Sequence, residues 1–153
     1  SISYFWKLMK KLFVAILCVF GLTQCHNKAY SLNDLPKEYI QIGSYGGFAG
    51  TAKTYFFFPN GQRILSSVIL GSDTVQSAND ITKATPKDFK EMLKGLNEME
   101  FCDMDLNEIG NMTHFIRLKT KKEDKSVQWS DRNKAPEALV SFYRNNFHNH
   151  KHQ

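Results

Sequence analysis

No stretch constrains this chain more than Gly43-Ser44-Tyr45-Gly46-Gly47-Phe48-Ala49-Gly50, because glycine loses the most backbone entropy in a helix and offers no side chain to pack. The stretch therefore predicts a turn. Tyr39-Ile40-Gln41-Ile42 before it and Tyr55-Phe56-Phe57-Phe58 after it suit a pleated surface, so the local expectation is a β-hairpin with a glycine-rich tip over 43–50. That tip carries Tyr45 and Phe48, either to pack back on its own sheet or to press into another protein.

Upstream, Lys10-Lys11 followed by the apolar run Leu12 to Leu22 has the form of a secretory signal, with Met9 as the expected start and 1–8 as upstream sequence or a true extension. The run is 11 residues, far below the roughly 20 that a helix needs to cross a bilayer. Leu22-Thr23-Gln24-Cys25 resembles the lipobox of bacterial lipoproteins, which implies a lipidated Cys25 as the new N-terminus and removal of 1–24. An ordinary signal that happens to hold a cysteine is the alternative.

Lipidation would leave Cys102 as the sole thiol of the mature chain, excluding a disulfide framework. Without it, a Cys25 to Cys102 bridge becomes conceivable in an oxidising envelope. Removing Lys7, Lys10 and Lys11, the only charged residues of 1–24, takes three from the formal +5 and leaves +2. A nucleic-acid partner thereby loses its electrostatic support.

The remaining 129 of 153 residues fit one domain. Polar, aperiodic His26 to Pro36 predicts a tether, so the expected boundaries are 25–37 for lipidated cysteine and tether, 38–148 for the body and 149–153 for a tail. Pro59-Asn60-Gly61 predicts a turn, Gln62 to Leu70 a third strand, and Thr74-Val75 the start of a short fourth. Thr85-Pro86-Lys87-Asp88 is a helix start, and Phe89, Met92, Leu93 and Leu96 follow at helical spacing. Alternation over Thr113 to Thr120 predicts a strand with His114, Ile116 and Leu118 on one side, paired through a charged turn with Ser126 to Ser130. A last helix from about Pro136 aligns Leu139, Phe142, Tyr143 and Phe147. Strands, helix, strands, helix implies an α+β fold: a mainly antiparallel sheet of four to six strands with two helices on one face.

Catalytic and metal patterns find little to rest on. Asp103, Asp105, Asn107 and Glu108 crowd one loop with oxygen ligands, yet an EF-hand register from Asp103 would need glycine where Glu108 stands and glutamate where His114 stands. His148, His150 and His152 alternate in the tail, and no H-E-x-x-H, G-x-S-x-G or G-K-[ST] pattern occurs. Cys102 sits in acidic surroundings that raise a thiol pKa, which suits a packed residue better than a nucleophile. The expectation is a protein without catalytic machinery, metal or cofactor.

Gly46-Gly47-Phe48-Ala49-Gly50, the helix from Pro86 towards Phe101, the strand entry at Gly110-Asn111, Val127 to Asp131 and Pro136 to Leu139 together resemble the layout of emfourin-like proteins, small inhibitors of thermolysin-like metallopeptidases. The succession is also similar to that of lipoproteins of the Bacteroidetes with a tryptophan-serine-or-glycine-aspartate stretch like Trp129-Ser130-Asp131. The likeness spans most of Ile40 to Phe147. It departs from the compact inhibitors in the leader and in the longer strand region between Thr54 and Thr85. It implies an exported, lipid-anchored protein of the bacterial cell envelope, with Tyr45, Gly46, Gly47 and Phe48 as the contact surface for a protein such as a peptidase. An envelope small-molecule binder, with a pocket between sheet and helices, is the alternative.

Overall fold

Alternating apolar and polar residues become six strands, β1 (Tyr39–Gly46), β2 (Thr51–Phe57), β3 (Arg63–Ile69), β4 (Val75–Ala78), β5 (Met112–Lys119) and β6 (Asp124–Trp129). Two amphipathic segments become the helices α1 (Pro86–Glu98) and α2 (Glu137–Phe147). The computed structural model describes residues 29–69, 71, 75–78 and 85–147. The expected leader, Cys25 and the histidine tail lie outside the described residues.

All strand pairs are antiparallel, in the order β4-β3-β2-β1-β5-β6. The first hairpin thus sits at the centre, since β1 pairs with both β2 and the distant β5. Both helices cover one face, as the element order predicts, burying Phe89, Met92, Leu96, Leu139, Tyr143 and Phe147 against Ile40, Ile42, Tyr55, Phe57, Ile116, Leu118, Val127 and Trp129. An aromatic chain ties this layer together: Trp129 meets Tyr143 edge-on at 5.3 Å, Tyr143 stacks on Phe147 at 4.9 Å, and Phe147 meets Tyr55 at 5.5 Å. Edge-to-face and offset pairs of this kind add about 0.5–1.5 kcal/mol each beyond area burial.

Helix α1 begins where the sequence places it. Asp88 N–H donates to the Thr85 carbonyl at 3.0 Å, and the Asp88 carboxylate accepts from the Thr85 backbone N–H at 2.5 Å and its hydroxyl at 2.9 Å. These bonds, the backbone one foremost, hold the Asp88 carboxyl below its ordinary range. Gly95, a weak point by propensity, has a packing reason: a Cβ there would stand 3.3 Å from the Phe142 ring of α2.

Two expectations need correction. Gly43 to Gly46 belongs to β1, and only 47–50 turn, because Gly43 finds strand partners on both sides in Thr54 and Phe115. The expected tether is shorter than 25–37, because Tyr30, Leu32 and Leu35 pack on a second apolar cluster of Tyr39, Phe56, Phe58 and Ile64 on the helix-free face. Tyr30 is fastened there by two bonds to Gln62, each of 2.7 Å. Apolar side chains in a polar stretch thus dock where the sheet face would otherwise be open.

Candidate functional site

The tip is built by backbone conformation before any side chain enters. Gly46, Gly47 and Gly50 have φ of 104°, 75° and 55°, values that side chains disfavour, and a Cβ on Gly46 would lie 2.2 Å from the Asn111 carbonyl oxygen. Gly47 N–H donates to that carbonyl at 2.7 Å, and Gly50 N–H closes the turn onto the Gly47 carbonyl at 3.0 Å. The loop is thereby pinned to the entry of β5.

Phe48 stands at the summit with 108 % relative exposure. The strand register runs a row across the sheet below it, Met112–Gly46–Thr51–Ile69, whose outer members are 40 % and 56 % exposed. Ile109, just before Gly110 and Asn111, is 67 % exposed. Among the described residues these four are the exposed large hydrophobics, and all lie at the tip end of the sheet. Apolar groups gathered at one pole in this way mark an interaction surface more often than scattered ones do.

Of the four tip residues expected to act together, Gly46 and Gly47 shape the turn and Phe48 is presented to solvent. Tyr45 is not on the tip. It belongs to β1 and turns onto the helix-free face, where its ring lies 6.2 Å from that of Phe115 and its hydroxyl donates to Gln128 Oε1 at 2.9 Å. Met112, Ile69 and Ile109 are the residues that sequence reasoning missed. Their apolar side chains carry a local signal, but only the pairing of β3 and β5 into the sheet brings them to the end that carries Phe48.

The helix-free face holds an open trough of about 410 Å³, lined by Gln41, Tyr45, Ala52, Thr54, Phe115, Arg117, Ser126 and Gln128. By contrast, the space between sheet and α2, beside His114, Trp129, Val140 and Tyr143, is about 30 Å³, room for little beyond a water or two. Among the described residues, the sheet face beneath the helices is packed by Phe89, Leu96, Leu139 and Tyr143 against Ile42, Ile116, Val127 and Trp129.

The polar groups flagged by sequence are tied into the body. The Cys102 thiol donates to Glu123 Oε2 at 2.8 Å, and that bond first, then burial and the nearby negative charges of Glu123 and Asp103, push it up to about 11. Its direction is the one its acidic surroundings predict. Glu108 pairs with Lys134, which holds the Glu108 carboxyl low, while Asn107 accepts from the Gln128 amide. His114 Nδ1 lies 3.2 Å from the Tyr143 hydroxyl, and burial raises the Tyr143 pKa. Among the described residues no three His, Cys, Asp or Glu side chains gather as metal ligands, and no helix is long and apolar enough to cross a membrane. No protein-family model matches the chain, and no curated protein matches it.

Proposed function

We propose that this chain is a cell-envelope lipoprotein of non-catalytic, protein-binding type, acting through the apolar rim around Phe48, with a thermolysin-like metallopeptidase as its partner. The observation that carries the reading is the fully exposed Phe48 on a turn pinned to Asn111, with Met112, Ile69 and Ile109 exposed at the same end of the sheet. An aromatic anchor on a pinned turn loses little backbone entropy on binding and supplies about 2 kcal/mol or more when buried at an interface.

The direction of the chain supports it further. The N-terminal segment docks at Tyr30 beside Gln62, next to the turn that joins β2 to β3, while the Phe48 turn joins β1 to β2 at the opposite end of the sheet. Eight residues of β1 separate the two ends, about 26 Å at the usual rise per residue. A lipid on Cys25 would leave Phe48 pointing away from the membrane.

The experiment is inhibition of a thermolysin-like peptidase by the full chain, compared with Phe48→Ser. The expected outcome is saturable inhibition that the variant loses by about tenfold or more. Equal inhibition by both proteins, or none by either together with no capture of the peptidase, overturns the proposal.

A further inference from the structure

The register explains why a trough forms where it does. On the helix-free face, one row across the sheet reads Gln128–Phe115–Gly43–Thr54. The row towards the tip contains Tyr45 and Ala52, and the row towards the chain entry contains Ser126, Arg117 and Gln41. Gly43 has no side chain, and the Phe115 ring lies in the space a Cβ there would take, 2.6 Å from it. The ring lying low over β1 and the small Ala52 leave the depression that the larger neighbours surround. The docked segment Tyr30 to Leu35 covers the adjoining cluster at Tyr39, Phe56 and Ile64, so the trough is a bounded part of this face.

We propose that this trough is a binding site for a neutral carbohydrate, taken with a sugar face against the Phe115 and Tyr45 rings and its hydroxyls on Gln41, Thr54, Ser126 and Arg117. The aromatic pair supplies the platform, because the negative face of a ring attracts the polarised C–H groups of a pyranose. The rim supplies what hydroxyls need. Gln41 offers a donor and an acceptor in one plane, and Thr54 and Ser126 offer hydroxyls of either sense.

Charge favours a neutral ligand over an anion. The Arg117 guanidinium gives Nε and Nη2 to the Asp124 carboxylate, each at 2.8 Å, and Lys119 Nζ reaches the same carboxylate at 3.2 Å. The guanidinium is thus already matched by a carboxylate and retains Nη1 as a directional donor. The platform is held from behind: Asn107 accepts from the Gln128 amide, and Gln128 Oε1 accepts from the Tyr45 hydroxyl. That chain fixes the Tyr45 ring before a ligand arrives, which lowers the ordering cost of binding. A volume of about 410 Å³ lies within the usual range of small-ligand sites.

The proposal stands apart from the tip. Saturation-transfer NMR with the full chain and three neutral probes, maltotriose, cellotriose and triacetylchitotriose, tests it directly, with inorganic phosphate as the anionic arm. The expected result is transfer to at least one trisaccharide, with affinity about tenfold weaker in Phe115→Ala and in Gln41→Ala and unchanged in Phe48→Ser. Should Phe115→Ala fail to fold, Gln41→Ala decides, since the amide sits at the solvent-open rim. No transfer to any of the three, binding of phosphate alone, or sugar binding indifferent to Gln41→Ala overturns the inference. Because Phe48→Ser removes the tip and leaves the trough, failure of either proposal is read separately from the other.

Discussion

Gly43 and Phe115 face one another across β1 and β5, and the phenyl ring occupies the space a side chain at Gly43 would need. A Cβ there would lie 2.6 Å from Phe115 Cε1 and Cζ and 2.7 Å from the Lys53 carbonyl oxygen. The ring thus covers a backbone that glycine would otherwise leave bare, in the middle of the central strand. Gly43→Ala should therefore cost about 1–3 kcal/mol by overpacking, measured by urea unfolding. Part of that cost should vanish in the Phe115→Ala background, as contacting residues in a double-mutant cycle require. A neutral Gly43→Ala would mean that the ring swings aside freely.

Phe48 and Trp129 should respond in opposite ways to truncation. Phe48 buries nothing, so Phe48→Ser should change stability by no more than about 0.5 kcal/mol. Trp129 is buried against Tyr143, and Trp129→Ala should cost about 3–5 kcal/mol. Thermal melts of the two variants side by side check this, and an appreciable loss in Phe48→Ser would place that ring in the fold.

Cys102 should alkylate slowly. Its thiol donates to Glu123 and is pushed up to about 11, so iodoacetamide at pH 8.5 should modify the folded chain several-fold more slowly than it modifies Glu123→Gln. The sign for stability follows: a thiol raised in the folded state lends stability below the ordinary thiol range and loses it as pH rises through about 11. Equal alkylation rates would show that the hydrogen bond does not persist in solution.

Asp124 should contribute to acid sensitivity. Its carboxyl is held below the ordinary carboxylate range, chiefly by the Arg117 hydrogen bonds and then by Lys119. A carboxyl depressed by folding lends stability above its unfolded value, about 3.9, and loses it as pH falls through the folded one. Asp124→Asn should lower the urea midpoint modestly at pH 7 and flatten its fall below about pH 4 by a matching amount, both small because solvent screens so exposed a pair. Identical acid slopes in the two proteins would refute the pairing.

The chain's own pattern indicated each of the six strands and both α-helices, and the class they build, but neither the short helical turns Phe101–Asp103 and Arg132–Lys134 nor the full length of β1. Two-residue alternation marked β5 and β6, Thr85-Pro86 and Asp88 marked the start of α1, and four-residue spacing marked α2, because such signals depend only on neighbours in sequence. Phe48 at the summit was legible for the same reason. Of the two roles open to Tyr45, pairing with β5 decided for packing back on its own sheet, since a glycine run locally indistinguishable from a turn becomes strand once β5 pairs with it. The docking of Tyr30, Leu32 and Leu35, the gathering of Met112, Ile69 and Ile109 at the tip end of the sheet, and the trough floored by the Phe115 ring were settled by tertiary structure alone. Each arises from pairing between segments far apart in sequence, where a shift of one residue would turn every side chain to the other face.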